Sequence, residues 1–243
     1  MKSICIDAGN TLIKVALMED GLIQSLASFP HDDSSSLLTH ALSLPQVEAC
    51  ILSSVNAVDQ SVIDVFLQKS SFYMELTAET PVPIRNLYKT PKTLGKDRLA
   101  AVVGANSLFP NMDVLVIDAG TALTFDFVDK AGNYHGGNIS PGINMRFRAL
   151  HEYTKNLPLQ TQDSEYKIIG DSTASAIASG VKNGIIFEVN GYINHFIKKF
   201  PHLVIILTGG DGNFFENKIK KHIFAAPNLV VFGLEKIVLM NKK

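Results

Sequence analysis

Two carboxylates in this chain are each followed by a small residue and a glycine, and each stands at the end of an apolar run. Asp7-Ala8-Gly9-Asn10-Thr11-Leu12-Ile13-Lys14 follows Ile4-Cys5-Ile6, and Asp118-Ala119-Gly120-Thr121-Ala122 follows Val114-Leu115-Val116-Ile117. Glycine lets backbone N–H groups approach a bound anion, and Thr11 and Lys14 add a hydroxyl donor and a positive charge. Asp7 has the wrong charge for a phosphate unless a cation lies between them; Mg²⁺ bridging the two, directly or through water, resolves the conflict. Taken alone, the first stretch also fits an Asx-capped hairpin with no ligand. The second stretch changes the balance, because a strand leads in and a strand leads out of both. Matched turns about half a chain apart suggest a duplicated domain, with a cleft between its halves to which each turn offers a carboxylate and hydroxyls.

A third candidate is Gly95-Lys96-Asp97-Arg98, just before an Ala-rich helix. A capping Asp beside a solvated Arg is the bland reading. The functional one makes Asp97 a proton acceptor and Arg98 the holder of an anionic substrate group, since its fork geometry suits a carboxylate. Tyr88, on the proline-rich loop upstream, either lines the same pocket or is an ordinary half-buried aromatic. The glycines of Gly136-Gly137…Pro141-Gly142 shape a turn or admit a ligand, and Gly170-Asp171-Ser172-Thr173 is a good helix start. Thr208-Gly209-Gly210-Asp211-Gly212 follows a buried strand, a place where nucleotides often sit in α/β folds. No P-loop, dinucleotide fingerprint or Gly-x-Ser-x-Gly elbow occurs, and the scattered histidines have no metal-ligand spacing.

The elements that must position these residues follow from periodicity and turn signals. Strands are expected near 3–8, 12–18, 22–29, 48–55 and 72–76, with helices near 34–43, 58–69 and 99–108. The second half repeats the order: strands near 113–119, 122–129 and 133–140, a helix near 143–153, a long helix near 172–200 and a strand near 203–207. A helix near 213–222, a strand near 229–232 and a terminal helix from Leu234 complete it. Small residues of the long helix (Ala174, Ala176, Ala178, Ser179, Gly180) suggest close packing against a neighbour. The expectation is an α/β protein of two domains, 1–112 and 113–243, each an antiparallel meander joined to parallel crossovers.

Composition narrows the partners. The 243 residues are 46% hydrophobic and 19% charged, with a net charge of −1 and no basic run longer than a pair. That gives no electrostatic footprint for nucleic acid or an anionic membrane. No signal peptide is read at the N-terminus, and no apolar run approaches the roughly 20 residues that span a bilayer. Cys5 and Cys50 lie in apolar runs and read as buried free thiols, which suits a reducing cytoplasm.

The ordered set Asp7–Lys14, Tyr88 with Pro91, Gly95–Arg98, Asp118–Ala122, Gly136-Gly137…Pro141-Gly142 and Thr173…Gly180 resembles the type III pantothenate kinases over nearly the whole chain. Thr90, where many members carry Asn or Asp, and Lys96, where many have a small residue, depart from the pattern. The resemblance implies the duplicated ribonuclease-H-like domains of the actin, sugar-kinase and Hsp70 superfamily. It implies that Asp7, Ala8, Gly9, Asn10, Thr11, Leu12, Ile13 and Lys14 bind the ATP phosphates and help hold Mg²⁺. Thr121 then contacts ATP, and Asp118 holds a monovalent cation, K⁺ or NH₄⁺. Asp97 is the implied general base toward the pantothenate hydroxyl, with Tyr88, Gly95, Lys96, Asp97, Arg98 and Thr173 lining the pantothenate site. A homodimer with a pocket completed by the partner is implied too. Two alternatives stay open: another small-molecule kinase of the superfamily, and a non-enzymatic accessory transcriptional regulator.

Overall fold

The structure, a computed structural model, describes residues 1–215, 218–219 and 221–242. Its elements run β1 (Lys2–Ala8), β2 (Leu12–Glu19), β3 (Leu22–Pro30), α1 (Ser34–Ser43), β4 (Ala49–Ser54), α2 (Gln60–Lys69), β5 (Tyr73–Glu75) and β6 (Arg85–Asn86). A short 3-10 turn (Pro91–Thr93) precedes α3 (Lys96–Leu108). Then come β7 (Val114–Ala119), β8 (Ala122–Val128), β9 (Asn133–Pro141), α4 (Ile143–Glu152), α5 (Thr173–Lys199), β10 (Val204–Thr208), α6 (Gly212–Phe215), β11 (Phe224–Ala225) and α7 (Leu229–Asn241).

The chain divides into two compact units. One comprises Met1–Asn111, Val128–Gly136 and Asn228–Lys243, the other Met112–Phe127 and Gly137–Pro227. In the first, the sheet order is β3-β2-β1-β4-β5, with β1 antiparallel to β2 and parallel to β4. In the second, β9-β8-β7-β10-β11 repeats that order, with β10 parallel to β7. Strand chemistry follows position. The central β1 and β7 carry unbroken apolar runs because they are covered on both faces, whereas the outer β3 has only exposed and half-buried residues. In the first unit Ile4, Ile6, Val15, Leu37, Leu52 and Phe66 form one core; in the second, Leu115, Ile117, Phe125, Phe147, Ile185 and Ile205 form another. The parallel crossovers run through helices, as that connection requires.

Two local departures from the sequence reading have clear causes. The strand expected near 229–232 is the first turn of α7, and the short strand there is instead Phe224–Ala225. Val230-Val231-Phe232 is locally β-like, but α7 buries residues on most of its faces, from Leu229 to Val238, so neither period stands out. It packs on α3 within the first unit, glycine against glycine: a Cβ on Gly233 would sit 1.7 Å from the Ala100 carbonyl oxygen and one on Gly104 2.6 Å from that of Leu229. The proline-rich stretch expected as loop contains β6, which pairs in parallel with the start of β9. Of the helix expected near 213–222, Gly212–Phe215 is helical, while residues 216, 217 and 220 lie outside the described residues.

Candidate active site

Within the first unit, the Asp7–Lys14 stretch is the β1–β2 hairpin. Asp7 and Lys14 are cross-strand partners, and the Gly9 N–H donates to the Leu12 carbonyl at 3.1 Å. Residues that the sequence did not single out fix this turn. His31 Nε2 lies 2.7 Å from the Gly9 carbonyl oxygen, Asn56 Nδ2 donates to the same oxygen at 3.4 Å, and the Val55 N–H donates to the Ala8 carbonyl at 3.1 Å. No spacing rule links position 9 to positions 31 and 56; the β2–β3 pairing, with Leu12 opposite Pro30, brings His31 there, and the β1–β4 pairing brings Asn56. Asn10, Thr11 and Leu12 are exposed, but Ala8 and Ile13 are buried in the core. Those two can offer only backbone atoms to a ligand.

Asp97 sits in the first turn of α3 behind Gly95, and its Oδ1 accepts the Arg98 N–H at 2.8 Å. Lys96, the first helical residue, is half-buried. Arg98 is buried, with its guanidinium carbon 5.7 Å from the centre of the Tyr88 ring, and Tyr88 stacks on Tyr134 at 6.2 Å and 9°. Gly136 makes that arrangement possible: at φ +94° a side chain is disfavoured, and a Cβ there would lie 2.8 Å from Tyr88 Cδ2. This glycine, one of those read as shaping a turn or admitting a ligand, makes room for the tyrosine. Asp7 shares this neighbourhood. Burial, followed by the negative charge of Asp97, pushes its carboxyl up to about 6, with Lys14 pulling the other way. Two carboxylates within electrostatic reach, one of them desolvated, form a donor set suited to a cation.

The second unit repeats the turn with a different fastening. The Gly120 N–H donates to the Ala122 carbonyl at 3.1 Å, and the Asp211 N–H donates to the Ala119 carbonyl at 2.8 Å, as Val55 does to Ala8. Asp118 pairs with Thr208 in the β7–β10 register, and Gly209, at φ +91°, lets the backbone pass its carboxylate, where a Cβ would stand 2.4 Å from Oδ1. Thr121 is exposed, and its carbonyl accepts the Gly142 N–H at 3.1 Å. Burial raises the carboxyl of Asp211 above its ordinary value. Thr173 is the exposed first residue of α5, held by a capping box between Ser172 and Ser175. Further along α5, Ala178 and Ser179 are buried, whereas a Cβ on Gly180, Gly184 or Gly191 would meet nothing within 4 Å, and Phe187 is 62% exposed. Among the described residues, no group of three or more His, Cys, Asp or Glu could hold a metal by itself, and no helix is long and apolar enough to cross a membrane.

Comparison with known proteins gives the family and the fold. A family model for type III pantothenate kinases matches residues 3–195. The type III pantothenate kinase of Phocaeicola vulgatus is 45% identical over 242 residues, covering 99% of each chain. That of Porphyromonas gingivalis is 40% identical and covers 98% of each. Among solved structures, a Campylobacter jejuni protein described as a Baf family transcriptional activator aligns over 98% of both chains with a TM-score of 0.63 at 21% identity. A Streptomyces griseus ROK family glucokinase, in complex with glucose and AMPPNP, aligns over 99% of this chain and 100% of its own with a TM-score of 0.54 at 14% identity. The structural likenesses show a shared α/β fold, in which the two sheets of this chain repeat one strand order. At this coverage and identity, the chain belongs to the type III pantothenate kinase family.

Proposed function

We propose that this chain transfers the γ-phosphoryl group of ATP to the primary hydroxyl of pantothenate, giving 4'-phosphopantothenate, the first step of coenzyme A biosynthesis. The observation that carries this reading is the Asp97-Arg98-Tyr88 constellation, set beside Asp7 in a chain of this family. Asp97 accepts the proton of the attacking hydroxyl. Arg98, buried and near the Tyr88 ring, forks onto the pantothenate carboxylate, and Gly95, Lys96 and Thr173 complete the substrate's surroundings. The hairpin 7–14 receives the ATP phosphates through the backbone around Gly9 and the groups of Thr11 and Lys14, and Thr121 contacts the nucleotide. Phosphoryl transfer asks mainly for positioning and charge neutralisation, which these groups supply.

The donor sets fit the expected cations. Asp7, desolvated and facing the charge of Asp97, suits Mg²⁺ carried with ATP, directly or through water; bound there, the ion neutralises phosphate charge. Asp118, with the backbone of Gly209 drawn close, suits K⁺ or NH₄⁺. The open glycine face of α5 and the exposed Phe187 favour a homodimer built on that helix. We place the repeat boundary of the duplication at 112/113 and the enzyme in the cytoplasm, acting on small molecules without nucleic acid or membrane. An intact Asp97 in this setting favours catalysis over a purely regulatory role. The test is ADP release with and without pantothenate. Wild type should turn over only with pantothenate, and Asp97→Asn should be slower by about 10²- to 10⁴-fold. Pantothenate-independent ATP consumption, or an Asp97→Asn variant at wild-type speed, overturns the reading.

A further inference from the structure

The first unit holds a cleft of about 560 Å³ away from Asp97, bounded by the proline-rich stretch before β6, the end of α3 and the β8–β9 turn. Arg85 and Lys130 bring positive charge to it, Asn106 and Asn111 bring amides, and Ile84 and Pro110 supply apolar wall; none of its lining residues is acidic. About nine residues of helix separate Asn106 from Asp97, which at about 1.5 Å per residue places the cleft some 14 Å along α3.

The walls are fastened. The Arg85 N–H donates to the Gly132 carbonyl at 2.9 Å, and Gly132, at φ +77°, donates to the Asp129 carbonyl at 2.8 Å. The Asp129 carboxylate accepts from the N–H groups of Ala131 and Asn133 at 2.9 and 3.0 Å, from Asn133 Nδ2, and lies 2.7 Å from His135 Nε2. It is spent on the turn. On the other side Pro110 fixes one φ, and Asn111 stands in the left-handed region at φ +60°, which asparagine tolerates better than most residues. The Arg85 side chain, by contrast, has neither a hydrogen bond nor an ion pair among the described residues. Its planar fork is thus offered at a preformed cleft of a volume typical for small-molecule sites, about 300–1,000 Å³.

We propose that this cleft is a second binding site, for a small organic anion whose carboxylate or phosphate is forked by Arg85 beside Lys130 and whose apolar body lies on Ile84 and Pro110. The two asparagine amides serve polar groups on that body. The proposal is independent of the kinase assignment, because no residue of the cleft belongs to the proposed catalytic or binding set.

The test is calorimetric titration of the whole protein with 1-naphthyl phosphate, which joins a dianion to an apolar ring, and with neutral 1-naphthol. The phosphate should bind at a single site with equal affinity with and without a non-hydrolysable ATP analogue. Naphthol should bind at least about tenfold more weakly. Arg85→Glu, at an exposed position, should weaken phosphate binding by about tenfold or more without changing the thermal midpoint. Ala131→Phe, which fills the cleft from another exposed position, should do the same. Absence of saturable binding, displacement by the ATP analogue, equal affinity for naphthol, or unchanged affinity in folded Arg85→Glu and Ala131→Phe would overturn it.

Discussion

Replacing Asp7 by Asn should make the ligand-free protein more stable at neutral pH while removing its activity. The carboxyl of Asp7 is displaced from 3.8 to about 6, first by burial and then by the charge of Asp97. Between those two values the folded protein keeps a proton that the unfolded chain has lost. Stability therefore falls as pH rises through that window, and the deficit is complete above pH 6. At about 1.4 kcal/mol per pH unit, ionising this group in the fold costs up to about 3 kcal/mol. Asparagine has the same shape and cannot ionise. Urea unfolding followed from pH 4 to pH 8 should show the two proteins close together at pH 4. The variant should draw ahead by about 3 kcal/mol near pH 7, or roughly 1 M in the urea midpoint for a slope of about 3 kcal/mol/M. The double variant with Asp97→Asn should show a smaller gap, because the second cause of the displacement is gone. Parallel stability profiles for wild type and Asp7→Asn across the whole range would refute the account of Asp7 as a desolvated, repelled carboxylate.

Three further outcomes are expected. Arg98→Lys keeps the charge but loses the fork, so the KM for pantothenate should rise about tenfold or more while that for ATP barely moves; equal changes in both would point to a folding defect. Activity in Na⁺ or Tris buffer with ample Mg²⁺ should be low and recover on adding K⁺, and Asp118→Asn should raise the K⁺ concentration needed; full activity without K⁺ would leave Asp118 a structural copy of Asp7. Gly233→Ala forces a methyl against the Ala100 carbonyl, so thermal denaturation should show a loss of about 2–3 kcal/mol, or about 5–10 °C, and an unchanged midpoint would mean that α3 and α7 can move apart.

Much of the fold could be read from local pattern because its repeat is written locally. Each half opens with an apolar strand, an Asp-Ala-Gly turn and a returning strand, and the sheet order that follows is the same in both units. The helix start that carries Asp97 and Arg98 was legible for a similar reason, since it is a short-range signal. What escaped depends on contacts between distant positions. His31 and Asn56 reach the Gly9 carbonyl only through sheet pairing and the turns that follow it. Tyr88 owes its seat to Tyr134 and Gly136, across a β6–β9 pairing made by two-residue β6. The first turn of α7 was misread as strand because a helix buried on most sides has no polar face to set its period.

The seat of α7 against α3 also bears on how the molecule is made. Residues 1–111 emerge first, yet the core they share with α7 stays open until synthesis reaches Asn241. At about 5–20 residues per second the wait is roughly 6–26 s. Over that interval the Ala100–Gly104 side of α3, with its bare glycine, has no covering helix. The strands of the second unit, from β7 to β11, are all in hand before α7 is made. The later-made unit can therefore be the first to reach its final packing on the ribosome. The earlier one stays as a half-closed body that a chaperone can hold and that other nascent chains can reach.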